Sequence, residues 1–374
     1  MKQWIDPQKI EKLFPVKQNH LYFNFASDGP LPLPAVEAIT NAVREKSENG
    51  LTPVPKQIAV YEEIRKQLAI LFQSAPENFA FTKNTSEGVL LALLAMDIKE
   101  GENYIVASDA FPTTIRMMES NCKGELRFVK INDPEPLNDQ LAAKCDDKTR
   151  AFVLDWVHFF SGKIIDLEAI TELARSRGIF TVIDGIQGAG ALELDLGKSN
   201  IDFFVTGGHK WMLSPQGTGF IYVSPEVWNK IPRKAFGWLG YNWKDFSDFD
   251  IDPELREGAE VMEYGTRSYT DALGFQHCLE LINSIGIKTI EHHNRQLRNF
   301  FLEKIIDKGY ESLQDPKQIT ASIIPFKPVN EDSLTVIKRL SHEKVVLSLR
   351  NGYIRAAFHW VNHRQEVERF LELL

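Results

Sequence analysis

Between residues 79 and 223, short apolar, β-prone runs alternate with helical patterns, and this alternation restricts the fold more than any other feature of the chain. Phe79–Thr82, Tyr104–Ala107, Leu126–Ile131, Ala151–Val157, Phe180–Asp184, Phe203–Thr206 and Gly219–Val223 read as strands. Ser86–Met96, Pro112–Ser120 and Leu167–Arg177 read as helices between them. Strands separated by helices favour parallel pairing, so the expected class is α/β with a mainly parallel central sheet. Ligands of such sheets lie beyond the carboxyl ends of the strands, which directs attention to the residues just after each run.

At 374 residues the chain exceeds one ordinary core, and a large domain with a smaller companion is expected. Phe236–Met262, rich in Trp, Asp, Pro and Gly, reads as an irregular excursion, followed by a long helical stretch over about Thr270–Lys304. Strands and helices then alternate again, ending in a helix at Arg364–Leu374. The predicted division is an N-terminal segment (1–20) packing with the small domain, a large cofactor-binding domain (21–270) and a small C-terminal α/β domain (271–374). A net charge of −8 argues against nucleic acid or an anionic membrane as partner. The first residues lack the apolar run of a secretory signal, and no apolar run is long enough to span a bilayer. Cys122, Cys145 and Cys278 are an odd, widely spaced trio that suits a reducing compartment, so a cytoplasmic location is expected.

Lys210 follows the strand Phe203–Thr206, and Asp184 ends the strand before it. A lysine at a strand end can form a Schiff base with an aldehyde, and a neighbouring aspartate can keep a pyridine nitrogen protonated. Pyridoxal phosphate needs both groups. Lysines are ordinarily solvated, but one set between two buried strands loses solvation and its pKa falls toward nucleophilic use. Asp184 could otherwise serve a dinucleotide, but no G-x-G-x-x-G turn follows an earlier strand, and Gly188-Ala189-Gly190 comes after the acid. A turn aspartate is the bland alternative. Gln187, one turn further, can reach a cofactor hydroxyl or only its neighbours. Thr85 and Ser86 open an apolar helix after a strand, where free N–H groups and hydroxyls bind phosphate; an ordinary N-cap uses the same residue types. His359 and His363 are spaced i, i+4 and His292-His293 are adjacent, but no acidic pattern completes a zinc motif, so no metal is expected.

The run Asp184, Gln187, His209-Lys210-Trp211 and Gly217-x-Gly219 resembles the class V aminotransferases of PLP fold type I, a group that includes cysteine desulfurases, kynureninases and isopenicillin N epimerase-like proteins. The similarity extends over nearly the whole chain. Tyr22 to Pro30 looks like the family's entrance loop, with Asn24 as a substrate contact, and Gly352 to Asn362 looks like its substrate-arginine motif. The resemblance implies that Lys210 carries the Schiff base and shuttles the proton, while Asp184 holds the ring nitrogen. It further implies that Gln187 meets the ring hydroxyl, that Thr85, Ser86 and His209 serve the phosphate, and that Phe111 stacks on the ring. Thr266 matches a residue that reaches the partner subunit's cofactor, implying a homodimer. Arg355 is the expected clamp for the substrate carboxylate of an amino acid, because a guanidinium binds it bidentately. Arg350 can share that task or read a second acidic group.

Four positions depart from the family pattern. Gly207 replaces a Ser or Thr often found there, and Thr206 points to the other strand face. Phe159 stands where an asparagine is common, leaving His158 as the candidate polar contact near the ring hydroxyl, or else a core histidine. Arg267 replaces proline and reads either as an acidic-group receptor across an interface or as a structural ion pair. Leu340–Arg355 contains no cysteine, which disfavours desulfurase chemistry of the thiolate kind. The expected activity is that of a PLP enzyme acting on an amino acid, nominally an aminotransferase. Lyase, epimerase and non-catalytic PLP binder are the alternatives.

Overall fold

The computed structural model describes residues 6–243 and 252–374. Part of the Phe236–Met262 excursion, residues 244–251, lies outside the described residues. The large sheet has seven strands: β1 (Phe79–Thr82), β2 (Asn103–Ala107), β3 (Glu125–Val129), β4 (Thr149–Asp155), β5 (Phe180–Asp184), β6 (Phe203–Gly207) and β7 (Gly219–Val223). Their order is β1-β7-β6-β5-β4-β2-β3, and only β7 runs against the others. Both faces are covered, which explains why the strands read as near-continuous apolar runs. Side chains alternate: Ile105, Phe152, Leu154, Ile183 and Phe204 face one core. Tyr104, Val106, Val153, Val182 and Val205 face the other, under the helix Thr85–Met96. Gly88 lets that helix approach β6, since a Cβ there would stand 2.8 Å from Val205 Cβ.

The second lobe is a four-stranded antiparallel sheet of β8 (Tyr310–Ser312), β9 (Ile323–Pro328), β10 (Ser348–Arg350) and β11 (Tyr353–Ala357), in the order β8-β9-β11-β10. Helices Ile287–Ile305, Ser333–His342 and Arg364–Leu373 cover it. Its core is aromatic: Phe370 stacks on Phe23 at 4.9 Å and on Phe301 at 5.3 Å. Phe23 comes from the N-terminal part of the chain, whose Leu21–Tyr22 pairs in parallel with Val345–Val346. Lys17 is ion-paired to Glu366, so the N-terminal segment is fastened to this lobe.

The expected long helix over 270–304 is two helices, Tyr269–Ile285 and Ile287–Ile305. Gly286 at φ 87° and ψ 131° cannot continue a right-handed helix. Phe275, Leu279 and Ile282 belong to the large-sheet core, as does Ile290 of the second helix, whereas Leu297, Phe301 and Leu302 belong to the core of the second lobe. Among the described residues no helix is long and apolar enough to cross a membrane.

Candidate active site

Because six of the seven strands run the same way, their carboxyl ends meet along one edge of the sheet. Asp155 closes β4 and Asp184 closes β5, paired across the two strands. Lys210 follows β6. The helix start after β1 adds Thr85 and Ser86, and the loop after β2 adds Phe111. Arg350 and Arg355 arrive from the second lobe. All of these except Asp155, with Gln187, His209, Ser27, Thr113 and Phe159, line one cavity of about 260 Å³. Asp155 lies just behind its wall.

Lys210 is only 9% exposed. Burial brings its pKa down to about 8, opposed chiefly by the attraction of Asp184. Asp184 goes the other way, raised to about 6 by burial against a hydrogen bond from Ile186 N–H at 2.9 Å and the pull of Lys210. The pair therefore provides an amine close to nucleophilic form at neutral pH and a carboxylate able to hold a cationic N–H. Phe111, 42% exposed, hangs over the cavity with its ring centre 5.5 Å from Lys210 Nζ, so it is not spent on core packing. Gly29 packs the N-terminal loop against the lysine: its N–H donates to His209 O at 2.7 Å, and a Cβ there would stand 2.4 Å from Lys210 O.

At the helix Thr85–Met96 the capping role falls to Asn84, whose side chain accepts from Glu87 N–H at 2.9 Å. Thr85 and Ser86 are thus free of that role. Thr85 Oγ1 is buried without a partner, and Ser86 Oγ reaches only Thr113 Oγ1 at 3.5 Å. A helix start with an unspent hydroxyl, in one cavity with His209, has the chemistry to receive a phosphate. An amine for an aldehyde, a carboxylate for a pyridine nitrogen and this helix start together fit pyridoxal phosphate.

Arg355 is buried and held by three bonds. Nε donates to Ser348 Oγ at 3.1 Å, Nη1 to Phe159 O at 2.7 Å and Nη2 to Ser27 Oγ at 2.7 Å. Gln187 donates from Nε2 to Ala26 O at 3.0 Å and accepts from Trp211 Nε1 at 2.9 Å, which leaves one N–H for a ligand.

Not every expected residue joins this cavity. His158 is buried away from it: Nδ1 accepts from Ser161 N–H at 3.0 Å, so Nε2–H donates to Asp109 O at 2.7 Å, and the ring serves the loop as a core histidine. Thr266 lines a separate cavity with Lys83, Tyr264 and Gly217. Asn24 is bridged to Ala357, beside the strand of Arg355 but outside the lining, with its buried Oδ1 unpaired. Arg267 lines the same separate cavity as Thr266, where it is ion-paired to Glu263 and lies 3.7 Å over the Tyr61 ring. His359 spends both ring nitrogens, on Trp211 O and Val361 N–H. Thr206 is buried and bonds Gly207 O, leaving the cavity without it.

Asp155 was not anticipated. Its Oδ2 accepts from Phe111 N–H at 3.2 Å and its Oδ1 is buried without a partner. Burial, and then the neighbouring Asp184, push its pKa well above the usual carboxylate range. The sequence places it within the apolar run Ala151–Val157, where a lone acid was the available signal. Ser27 and Phe159 were also missed as anchors of Arg355, because their roles depend on contacts across more than 190 residues of sequence.

The model of the family described as aminotransferase class-V matches residues 22–370. The chain belongs to this family. Class-V aminotransferases are pyridoxal-phosphate enzymes of fold type I. A probable cysteine desulfurase of Methanothermobacter thermautotrophicus is 25% identical over 98% of this chain and 97% of its own length. Isopenicillin N epimerase of Streptomyces clavuligerus is 24% identical over 94% of this chain and 93% of its own. Among solved structures, the cystine C-S lyase C-DES in complex with cysteine persulfide superimposes with a TM-score of 0.86 at 23% identity, covering 96% and 98% of the two chains. The apo cysteine desulfurase of Thermococcus onnurineus gives 0.83 at 24% identity, covering 98% of this chain and 96% of that one. The class-V relatives thus share the scaffold while the reactions they are named for differ, and fold does not select among them.

Proposed function

We propose that this protein is a pyridoxal-phosphate enzyme acting on an amino acid, nominally an aminotransferase. The observation that carries this reading is the meeting, in one cavity, of a buried lysine, a buried aspartate and an arginine pinned on three sides. The bound cofactor would supply an electron-accepting ring that stabilises negative charge at the substrate Cα. Lys210 Nζ would hold the cofactor covalently, give way to the substrate amine and then carry the Cα proton. Asp184 would keep a proton on the ring nitrogen. Phe111 would cover one ring face, and Thr85, Ser86 and His209 would bind the phosphate. Arg355 would orient the substrate by its carboxylate, with two N–H donors left after its three anchoring bonds. Among the described residues no cysteine lines the cavity, which supports chemistry other than a thiolate desulfurase.

We further infer a homodimer. Thr266 lies outside its own chain's Lys210 cavity, as service to a partner's cofactor requires. An apolar groove beside it, with Leu94 and Tyr264 exposed, suits contact with a second copy. The cytoplasm is the proposed compartment, since all three cysteines are free.

The deciding experiment mixes cofactor-loaded protein with pooled amino acids, without added keto acid. Stoichiometric keto acid without ammonia supports the transaminase reading. Ammonia release reassigns the protein as a lyase, and loss of Cα stereochemistry with neither product reassigns it as an epimerase. If borohydride fixes no cofactor to the wild type, or fixes as much to Lys210→Ala, the reading fails altogether.

A further inference from the structure

The arginine end of the cavity carries more positive charge than one substrate carboxylate neutralises. Lys210, Arg350 and Arg355 line the cavity against a single acid, Asp184. Thr85 and Ser86, proposed above for the phosphate, stand at the helix start after β1, whereas both arginines come from the second lobe. Arg355 is held at three of its donors by Ser348, Phe159 and Ser27, so its position is fixed. Arg350 stands close enough for its like charge to lower the pKa of Arg355, second to burial. Neither guanidinium forms a salt bridge among those found for the described residues; the hydrogen bond of Arg350 runs to Leu349 O at 2.8 Å.

The strand register explains why the two arginines converge. Ser348 pairs with Arg355, and Arg350 pairs with Tyr353. Residues two apart on a strand share a face, so Arg350, Ser348, Tyr353 and Arg355 all project from one side of the β10–β11 hairpin. Arg350 is displaced from Arg355 by two residues along the strand, about 7 Å. Two guanidiniums so spaced can each bind one end of a short molecule with two anionic groups. Arg355, buried and fixed, suits the constant α-carboxylate. Arg350, exposed and fastened only at Nη1, suits a group that varies in position.

We propose that Arg350 is a specificity residue that reads a second anionic group, and that the substrate is an amino acid whose side chain ends in an anion. This rests on the reading of the site as a cofactor-bearing amino-acid enzyme. A carboxylate and a phosphate present the same chemistry to Arg350.

The test follows the absorbance of the cofactor-loaded protein during titration with matched pairs: aspartate and asparagine, glutamate and glutamine, phosphoserine and serine. In the wild type, the acidic member of at least one pair binds about tenfold tighter than its neutral partner, and added salt shrinks the difference because Arg350 is exposed. The pair that shows the preference identifies the anion and its distance from Cα. Arg350→Gln removes the preference, and Arg350→Lys restores part of it. Arg355→Gln weakens both members of each pair alike. The inference is overturned if no acidic member is preferred, or if the preference survives in Arg350→Gln. An absorbance that responds to no amino acid at all overturns instead the reading on which the inference rests.

Discussion

At the scale of single residues, the chemistry lies in groups whose ionisation is altered by burial. Lys210, brought down to about 8, is half neutral near that pH, whereas a solvated lysine is almost entirely protonated there. A lowered amine pKa means a neutral nucleophile above the midpoint and an inert ammonium below it. The rate at which cofactor-free protein forms a borohydride-reducible bond to pyridoxal phosphate should therefore rise with pH and level off just above 8. A rate still climbing at pH 10 would show a solvated lysine. Asp155 offers a test of opposite sign. Its folded pKa is raised by burial, then by Asp184, so the stability associated with it is present below the unfolded value of 3.8 and is lost as pH rises. Asp155→Asn keeps an acceptor for Phe111 N–H and cannot ionise. It should melt above the wild type at pH 7, with the gap closing toward pH 4. Asp155→Ala strands the Phe111 N–H and should cost about 1–3 kcal/mol in denaturant titration. Lys210 and Asp184 were legible because each ends or follows an apolar strand. His158 was not, since a polar ring in a loop reads the same whether it meets a cofactor or a backbone carbonyl.

At the scale of elements, the seven strands were legible because both faces of the sheet are buried and each run is apolar throughout. Their ends were set within two residues by the turns that follow. The break at Gly286 was hidden, because Ile285 and Ile287 continue the apolar pattern and one glycine within a helix costs only about 1 kcal/mol. The backbone there shows φ 87°, a region where a Cβ is strained. Gly286→Ala should destabilise by about 1 kcal/mol, seen as a lower denaturant midpoint with an unchanged slope; no change would mean that the two helices can fuse. The helix start at Thr85 divides two roles that a sequence presents together. Asn84→Ala should cost about 1 kcal/mol of stability through loss of the cap. Thr85→Val should leave the melting temperature of cofactor-free protein within about 2 °C, since its hydroxyl has no partner to lose, and should speed cofactor release. If Thr85→Val destabilises as much as Asn84→Ala, the hydroxyl is structural and not reserved for phosphate.

At the scale of the whole molecule, the site is assembled from parts that no local pattern connects. Arg355 belongs to the second lobe, yet its anchors are Ser27 near the N-terminus, Phe159 after β4 and Ser348 on its own sheet. The resemblance to a family supplied Arg355, but only tertiary contact supplies the anchors. The same holds for Thr266, which sits in a cavity sharing no lining residue with that of Lys210. If Thr266 completes the partner's site, two defective chains should repair each other. Lys210→Ala removes the covalent link but retains Thr266; Thr266→Ala retains the lysine but loses the distant contact. In a mixed dimer, the site built on the intact Lys210 receives an intact Thr266 from the other chain. Cofactor held through dialysis and fixed by borohydride should then return to the lysine-bearing chains that have entered mixed dimers. Separately, Lys210→Ala should fix none and Thr266→Ala only a reduced share. Were Thr266 to act within its own chain, the mixed dimer would still pair Lys210 with alanine at 266, and retention would stay at the Thr266→Ala level.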